Sequence, residues 1–174
     1  MKVLVSKDFG DSKPSNDTID QFMEATSSAF EKVTLFFDNG SHNEDSSHKE
    51  GNFTFIGLDF EDRNEALNIS VNKAVQDKCD ALLFFNKNAF PKEDIVNKLF
   101  SPMEDPNIFA TFSDYTIDNI LMIQNNQTVI CRRLENAAFA SLGVYHVSED
   151  LYDLSKCEGI VKYIPLNLYN VNTN

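Results

Sequence analysis

Short apolar runs alternate with amphipathic stretches along this chain, and each run has the length of one buried strand. The run 81–85, Ala-Leu-Leu-Phe-Phe, is apolar on both faces, which is typical of a central strand in a covered sheet. In chain order, strands are predicted at 2–6, 33–37, 53–58, 81–85, 108–112 and 160–165.

The stretches between these strands carry apolar residues at three- and four-residue steps, which predicts helices. Ile19, Phe22 and Phe30 mark the first helix, behind possible N-caps at 15–17. Pro91 is expected at the first turn of a later helix, where a missing N–H is tolerated. Further helical segments are predicted at 66–77, 95–100, 134–142 and 149–157, and a hairpin turn at 125–126 between strands 120–124 and 128–131.

This alternation predicts an α/β fold with a mostly parallel central sheet flanked by helices. A length of 174 residues is that of one ordinary domain, so a single domain is predicted over 1–174. No apolar stretch reaches the length of a membrane helix, and the first residues lack the apolar core of a signal peptide. A cytoplasmic protein is therefore expected.

The charge and the positions of the cysteines and histidines disfavour several classes of function. Lys and Arg number 15 against 27 Asp and Glu, a formal net charge of −12, which disfavours direct nucleic-acid binding along a phosphate backbone. The cysteines and histidines are isolated in the sequence, without the spacing of a zinc site or a disulfide framework.

Ligands of parallel α/β sheets bind beyond the carboxyl ends of the strands, which selects the segments after Phe37, Phe85 and Phe112. The sequence has no GxGxxG after its first strand and no GxxxxGK[ST], so a classical dinucleotide fold and a P-loop are disfavoured. The segment 38–41 reads Asp-Asn-Gly-Ser. Its carboxylate can accept hydrogen bonds from a nucleoside, but these are also the usual residues of a strand-ending turn.

The order of short motifs along almost the whole chain resembles the family 2 glycosyltransferases of the GT-A fold. A strand ending in D-[DN]-G-S is matched by Asp38, Asn39, Gly40 and Ser41, and Asn72 fits an Asn on the helix after the third strand. The other matches, in order, are Ser113-Asp114-Tyr115, Arg132-Arg133, Gly143, Glu149-Asp150 and the segment Ile-Pro-Leu-Asn-Leu-Tyr at 164–169.

One departure from that family concerns its metal-binding D-x-D motif, where this chain reads Asn86-Lys87-Asn88. Mg²⁺ and Mn²⁺ prefer anionic oxygen ligands, so a metal cofactor stays possible but lacks its usual carboxylates. Either Lys87 or a nearby Arg supplies a fixed positive charge in a metal-independent enzyme, or the site has lost its activity. No metal ligand is therefore assigned.

The resemblance implies a role for each matching residue. Asp150, with Asp153 one helical turn later as the second candidate, would be the general base; acidic residues there would also suit a helix N-terminus. Arg133 would reach phosphate oxygens, or belong to a surface pair at a strand end, and Asp114 would lie on the acceptor side or simply end a strand. The nucleotide sugar would be bound by Asp38, Gly40, Ser41, Asn72, Asn86, Lys87 and Asn88.

The function predicted from these residues is transfer of a sugar from a nucleotide sugar, with a UDP-sugar favoured, to an unknown hydroxyl acceptor with inversion. The alternatives are a catalytically inactive domain of the same fold that serves as a binding or assembly module, and an unrelated nucleotide-binding α/β protein. The family's acceptor region is shortened here to 116–128, which favours a small or extended acceptor or help from a partner subunit, so a homo-oligomer is possible.

Overall fold

Nine strands of the computed structural model join in one sheet, within the residues that the structure describes, 1–39, 53–58, 64–123, 129–134 and 159–173. The strands are β1 Lys2–Asp8, β2 Glu31–Asn39, β3 Phe53–Leu58, β4 Ala81–Phe85, β5 Ala89–Pro91, β6 Ile108–Ile117, β7 Ile120–Met122, β8 Ile130–Arg133 and β9 Ile160–Val171. The α-helices are α1 Asn16–Ala25, α2 Asn64–Gln76 and α3 Ile95–Phe100, followed by a 3₁₀ turn at Ser101–Glu104.

One half of the sheet is parallel, with the order β3-β2-β1-β4. Its strands are the apolar runs of the sequence, and every residue of β4 is buried. Helices cover both faces of this half, because α1 and α3 pack on the side of Val3 and Phe36, and α2 packs on the side of Leu4 and Phe37. The predicted α/β fold with flanking helices is confirmed.

The other half is mixed, with β8 antiparallel to both β4 and β6, β9 parallel to β6, and β5 antiparallel to β9. The prediction of a mostly parallel sheet therefore holds for the first half only.

The predicted pairing of 120–124 with 128–131 is wrong: β7 pairs with β6 through a turn at Asp118 and Asn119, which have φ of 45° and 69°. Asn and Asp tolerate this left-handed conformation better than most residues.

Helix boundaries follow local chemistry. The Ser15 side chain accepts a hydrogen bond from the Thr18 N–H and caps α1. Pro91 ends strand β5 instead of starting a helix, and α3 begins at Ile95. The predicted helices at 134–142 and 149–157, apart from Leu134, and the predicted turn at 125–126 lie outside the described residues. No described helix is long and apolar enough to cross a membrane.

Candidate functional site

The strand order changes direction at the boundary between β1 and β4. From β1 the chain adds β2 and β3 on one side, and then β4 on the other. Lys7 is level with Phe36 in β2 and with Phe85 in β4, so the residues that follow these positions meet at one sheet edge. Ligands of open α/β sheets bind at such an edge, at the point where the strand order reverses.

Two buried aspartates end the neighbouring strands at this edge. Asp38, the candidate nucleoside ligand, is the next-to-last residue of β2 and is fully buried. Asp8 is the last residue of β1, and its carboxylate accepts a 2.8 Å hydrogen bond from the Gly10 N–H. Gly10 has a φ of 74°, which a glycine adopts without strain, so the chain turns sharply just after Asp8.

Lys7 is a buried residue of β1 that was not a candidate in the sequence, and its side chain reaches the end of β4. The Lys7 ammonium donates to the carbonyls of Asp8, Asn86 and Lys87, at 3.0, 2.6 and 3.1 Å. Its Nζ lies 4.4 Å from the centroid of the Phe90 ring. Burial lowers the pKa of Lys7 to about 7, whereas the carbonyls and the ring favour its charged form. Lys7 thereby fastens the turn after β4 to the end of β1.

That turn is Asn86-Lys87-Asn88, the segment at which the resemblance implies a metal site. The Asn86 side-chain oxygen accepts a hydrogen bond from the Asn88 N–H at 3.2 Å, which makes the turn self-supporting. Lys87 is exposed at the turn and packs against Gly10, where an added Cβ would lie 3.4 Å from the Lys87 side chain. The three residues sit at the carboxyl edge beside Asp8.

The donor set of this turn does not suit Mg²⁺ or Mn²⁺. Its side chains are two neutral amides and a lysine, one amide oxygen already accepts a backbone hydrogen bond, and the Lys7 ammonium lies directly behind. Hard divalent cations need several oxygen ligands and favour carboxylates. Among the described residues, no group of three His, Cys, Asp or Glu side chains is placed to hold a metal ion.

Asp114 lies further along the same edge, on the strand β6 that runs parallel to β4. It is buried, and its carboxylate accepts a 2.6 Å hydrogen bond from the Tyr163 hydroxyl. This bond to the carboxylate is the main reason why the pKa of Tyr163 rises to about 12. The Tyr163 hydroxyl therefore holds Asp114 in a fixed position.

Of the other predicted site residues, Arg133 lies away from this edge. Arg133 pairs with Ala81, at the opposite end of β4 from Asn86. Its guanidinium donates to the Ile108 and Asp105 carbonyls at 3.0 and 3.2 Å, and to the Met103 carbonyl. Arg133 therefore joins β8 to the 3₁₀ turn. Asn72 is an exposed residue of α2.

Four predicted site residues fall outside the described residues, namely Gly40, Ser41, Asp150 and Asp153. The structure thus brings together Asp38, Asn86, Lys87 and Asn88, with Asp114 further along the edge. It adds Lys7, Asp8 and Phe90 to them. A sequence signal for Lys7 existed, because a lysine followed by an aspartate comes at the end of a largely apolar strand. Two of its three carbonyl partners, however, come from residues 79 and 80 positions away.

Comparison with known proteins shows similarity in fold, not in sequence. No family profile matches the sequence, and no curated protein is significantly similar to it. The structure is similar to 4-diphosphocytidyl-2C-methyl-D-erythritol synthase from Anaerococcus prevotii, with a TM-score of 0.57, 11% identity, and coverage of 94% of this chain and 88% of that one. It is also similar to CMP:2-keto-3-deoxy-manno-octonic acid synthetase in complex with CTP, with a TM-score of 0.54, 10% identity, and coverage of 97% and 90%.

A third similar structure is the 1–349 portion of TarS from S. aureus, with a TM-score of 0.58 and 10% identity. The match covers 99% of this chain and 60% of the TarS chain, so this chain spans less than two thirds of that protein portion. Identities this low show the fold alone. This chain has an α/β fold with a mixed, curled sheet that is similar to the fold of these three proteins.

Proposed function

We propose that this protein binds a nucleotide-activated sugar at the carboxyl edge of β1, β2 and β4 and transfers the sugar to a hydroxyl acceptor. The observation that carries the proposal is the meeting of Asp8, Asp38 and the turn 86–88 at the point where the strand order reverses. The names of the similar structures, which include a diphosphocytidyl product and bound CTP, support a nucleotide at this edge.

The proposed roles follow from the chemistry of each side chain. The Asp38 carboxylate accepts hydrogen bonds from the nucleoside, next to Gly40 and Ser41. Lys87 is exposed at the edge, and its ammonium is the positive charge proposed for the diphosphate, in place of the family's metal. Assignment to family 2 and a UDP-sugar donor belong to this proposal; a homo-oligomer and a cytoplasmic location stay predictions.

In the proposed reaction the acceptor hydroxyl oxygen forms a bond to the anomeric carbon. The bond from that carbon to the phosphate oxygen breaks, and its electron pair leaves with the nucleoside diphosphate. The acceptor proton passes to the carboxylate of Asp150, or of Asp153 as the second candidate. Attack on the face opposite the leaving group inverts the anomeric centre.

Donor binding is tested first, by thermal shift with UDP, GDP, CDP and their sugars, each with Mn²⁺ and with EDTA. A ligand at 100 times its dissociation constant adds about 2.7 kcal/mol to the folded state. We expect stabilisation by one nucleotide, equal with Mn²⁺ and with EDTA, that Asp38→Asn abolishes and Asp20→Asn on the exposed face of α1 retains. Each variant is compared with its own ligand-free melt, so that its starting stability is recorded separately from the effect of the ligand.

The result of that panel separates three cases. No stabilisation by any nucleotide, or an equal shift for Asp38→Asn, would overturn the binding proposal. Stabilisation only with Mn²⁺ would overturn the metal-independent part of it.

Transfer is tested with the nucleotide found in that panel. Loss of a general base lowers turnover by about 10²–10⁴-fold, so we expect this loss for Asp150→Asn with donor binding unchanged. Asp153→Asn is the matched variant, and a loss there alone would move the base to Asp153. Full activity in both variants would overturn the assignment of the base.

A second candidate function is nucleotide-sugar binding without transfer. One observation favours it: the Asn86 amide and the three carbonyls around Lys7 are engaged inside the protein. Nucleotide stabilisation with no transfer to any hydroxyl acceptor would support this inactive module over the enzyme.

A further inference from the structure

We infer that a polar pocket between β5, β6 and β9 binds a neutral carbohydrate. The pocket has a volume of about 330 Å³, at the lower end of the range of small-molecule sites, about 300–1,000 Å³. We call it the β5–β9 pocket and define it by its lining residues Phe90, Thr116, Asp118, Asn119, Asn170, Val171 and Asn172. None of them was a candidate site residue in the sequence.

The walls of the β5–β9 pocket are fixed by the sheet. Thr116, Asn170 and Phe90 are directly paired across β6, β9 and β5, so their side chains start from one row of the sheet. The Asp118 carboxylate accepts hydrogen bonds from the N–H and the hydroxyl of Thr173. The Asn172 N–H donates to the Asn88 carbonyl at 2.9 Å. A ligand therefore meets positions that are already ordered.

The chemistry of the lining selects the ligand class. Side-chain amides both donate and accept hydrogen bonds, and those of Asn119, Asn170 and Asn172 make no hydrogen bond to other described residues. The described lining includes the Asp118 carboxylate and no lysine or arginine, which disfavours phosphates and acidic sugars. A ligand with many hydroxyl groups and no charge matches this set of side chains best.

Phe90 adds an apolar surface to these polar groups. Its side chain is half-buried and lines the β5–β9 pocket, and the Lys7 Nζ lies 4.4 Å from the centroid of its ring. An aromatic ring covers the apolar C–H face of a sugar, while the amides bind the hydroxyls at its rim. Amides, a hydroxyl and one aromatic ring together favour a carbohydrate over a purely polar ligand.

The position of the β5–β9 pocket connects it with the carboxyl edge. Asn88 in the turn 86–88 bonds Asn172, and Phe90 follows that turn by two residues. A carbohydrate in the pocket would thus lie next to the proposed diphosphate position, where an acceptor hydroxyl is needed. The identification of this carbohydrate as the acceptor rests on the proposed function; the binding of a neutral carbohydrate does not.

The test is direct binding without any nucleotide. The full chain, labelled with ¹⁵N, is titrated with maltose, cellobiose and lactose, and separately with glucuronate, while the Asn side-chain NH₂ signals are followed. We expect at least one neutral disaccharide to shift the signals of Asn119, Asn170 and Asn172, and glucuronate to bind at least tenfold more weakly. Asn170→Ala should weaken the binding about tenfold.

Asn119→Gly removes a second amide and keeps the left-handed backbone, since glycine adopts a positive φ freely. Lys162→Ala, exposed at the other end of β9, is the control and should bind normally. Failure of all three disaccharides to shift these signals, equal binding of glucuronate, or unchanged binding in Asn170→Ala and Asn119→Gly would overturn the inference. Neither result depends on nucleotide stabilisation, which tests the proposed function separately.

Discussion

The parallel and the mixed half of the sheet differ in how deeply their strands are buried. In the parallel half, β1, β2 and β4 are buried along most of their length, with helices on both faces. In the mixed half, β9 is largely exposed or half-buried, and register shifts interrupt its pairing with β6. Where both faces are buried, a ligand can reach polar groups only at the strand ends, whereas an uncovered face can carry polar side chains along the strands. Accordingly, the proposed nucleotide site lies at the strand ends of the parallel half, and the β5–β9 pocket lies along the strands of the mixed half.

The largest expected effect of a single change is in the parallel core. The Phe36 ring lies 4.9–5.4 Å from those of Phe9, Phe22, Phe53 and Phe55 and is fully buried. Phe36→Ala should lower the free energy of unfolding by about 3–5 kcal/mol, since it leaves a cavity among packed rings. Phe112→Ala, at a half-buried ring in the mixed half, is the control and should cost about 1–2 kcal/mol. Urea unfolding measures both, and equal losses would contradict the difference between the halves.

A second variant tests the connection between the halves. Lys7 has a lowered pKa in the folded protein, about 7 against the ordinary 10.5, so the unfolded chain binds more protons between these pH values. Its contribution to stability is therefore fully present above pH 10.5 and is lost as the pH falls through about 7. The stability of wild type relative to Lys7→Met should rise over this window by roughly 2–4 kcal/mol. The full shift sets a ceiling of about 5 kcal/mol, and the carbonyl hydrogen bonds of the ammonium reduce it.

The measurement is urea unfolding of both proteins at several pH values between 7 and 10. Because the two chains share every other titrating group, the difference isolates Lys7. A constant difference across the range would mean that Lys7 keeps its proton throughout.

Arg133 provides an intermediate effect at the far end of the sheet. Arg133→Lys keeps the positive charge but loses the planar guanidinium that donates to several carbonyls. It should lower the free energy of unfolding by about 1–2 kcal/mol. The stabilisation by nucleotide should not change, because Arg133 is level with the first residue of β4. Thermal melts with and without nucleotide measure both quantities. A selective loss of the nucleotide shift would return Arg133 to the phosphate role that the resemblance implies.

The smallest effect is expected on the outer surface of α2. Lys73 and Asp77 form a 3.2 Å ion pair one helical turn apart, and both side chains are partly exposed. Lys73→Ala should change the free energy of unfolding by at most about 0.5 kcal/mol, since solvent and salt screen the pair. The same urea experiment measures it at low salt and at high salt. A loss above 1 kcal/mol would show that this surface is coupled to the core more strongly than its exposure indicates.

Prediction from sequence succeeded where local pattern and burial agree. Strand β4 has the predicted bounds because an unbroken apolar run fits only a strand covered on both faces. The predicted strand after 159 extends to Val171, because its later residues pair with β5 and β6. Strand β5 was not predicted at all, since three residues ending in a proline carry no periodic signal and become a strand only by pairing with β9.

The candidate site shows the same limit. The sequence pointed to Asp38 and to 86–88, because both follow apolar strands whose ends must share one edge. The sequence could not show at which end of the sheet Arg133 lies. A strand residue looks the same in sequence at either end, and only the pairing of β8 with β4 decides its position. The roles of Gly40, Ser41, Asp150 and Asp153 stay predictions of the resemblance.

The sequence by itself determined the alternation of buried strands and helices, the charge balance and the edge where ligands are expected, because these depend on local patterns of apolar and polar residues. Only the tertiary structure decided that Lys7 is buried against the turn 86–88, and that Phe90, Thr116 and Asn170 share one row. Both arrangements join residues far apart in the chain. They depend on strand pairing and register, which the hydrophobic period of a single strand does not encode.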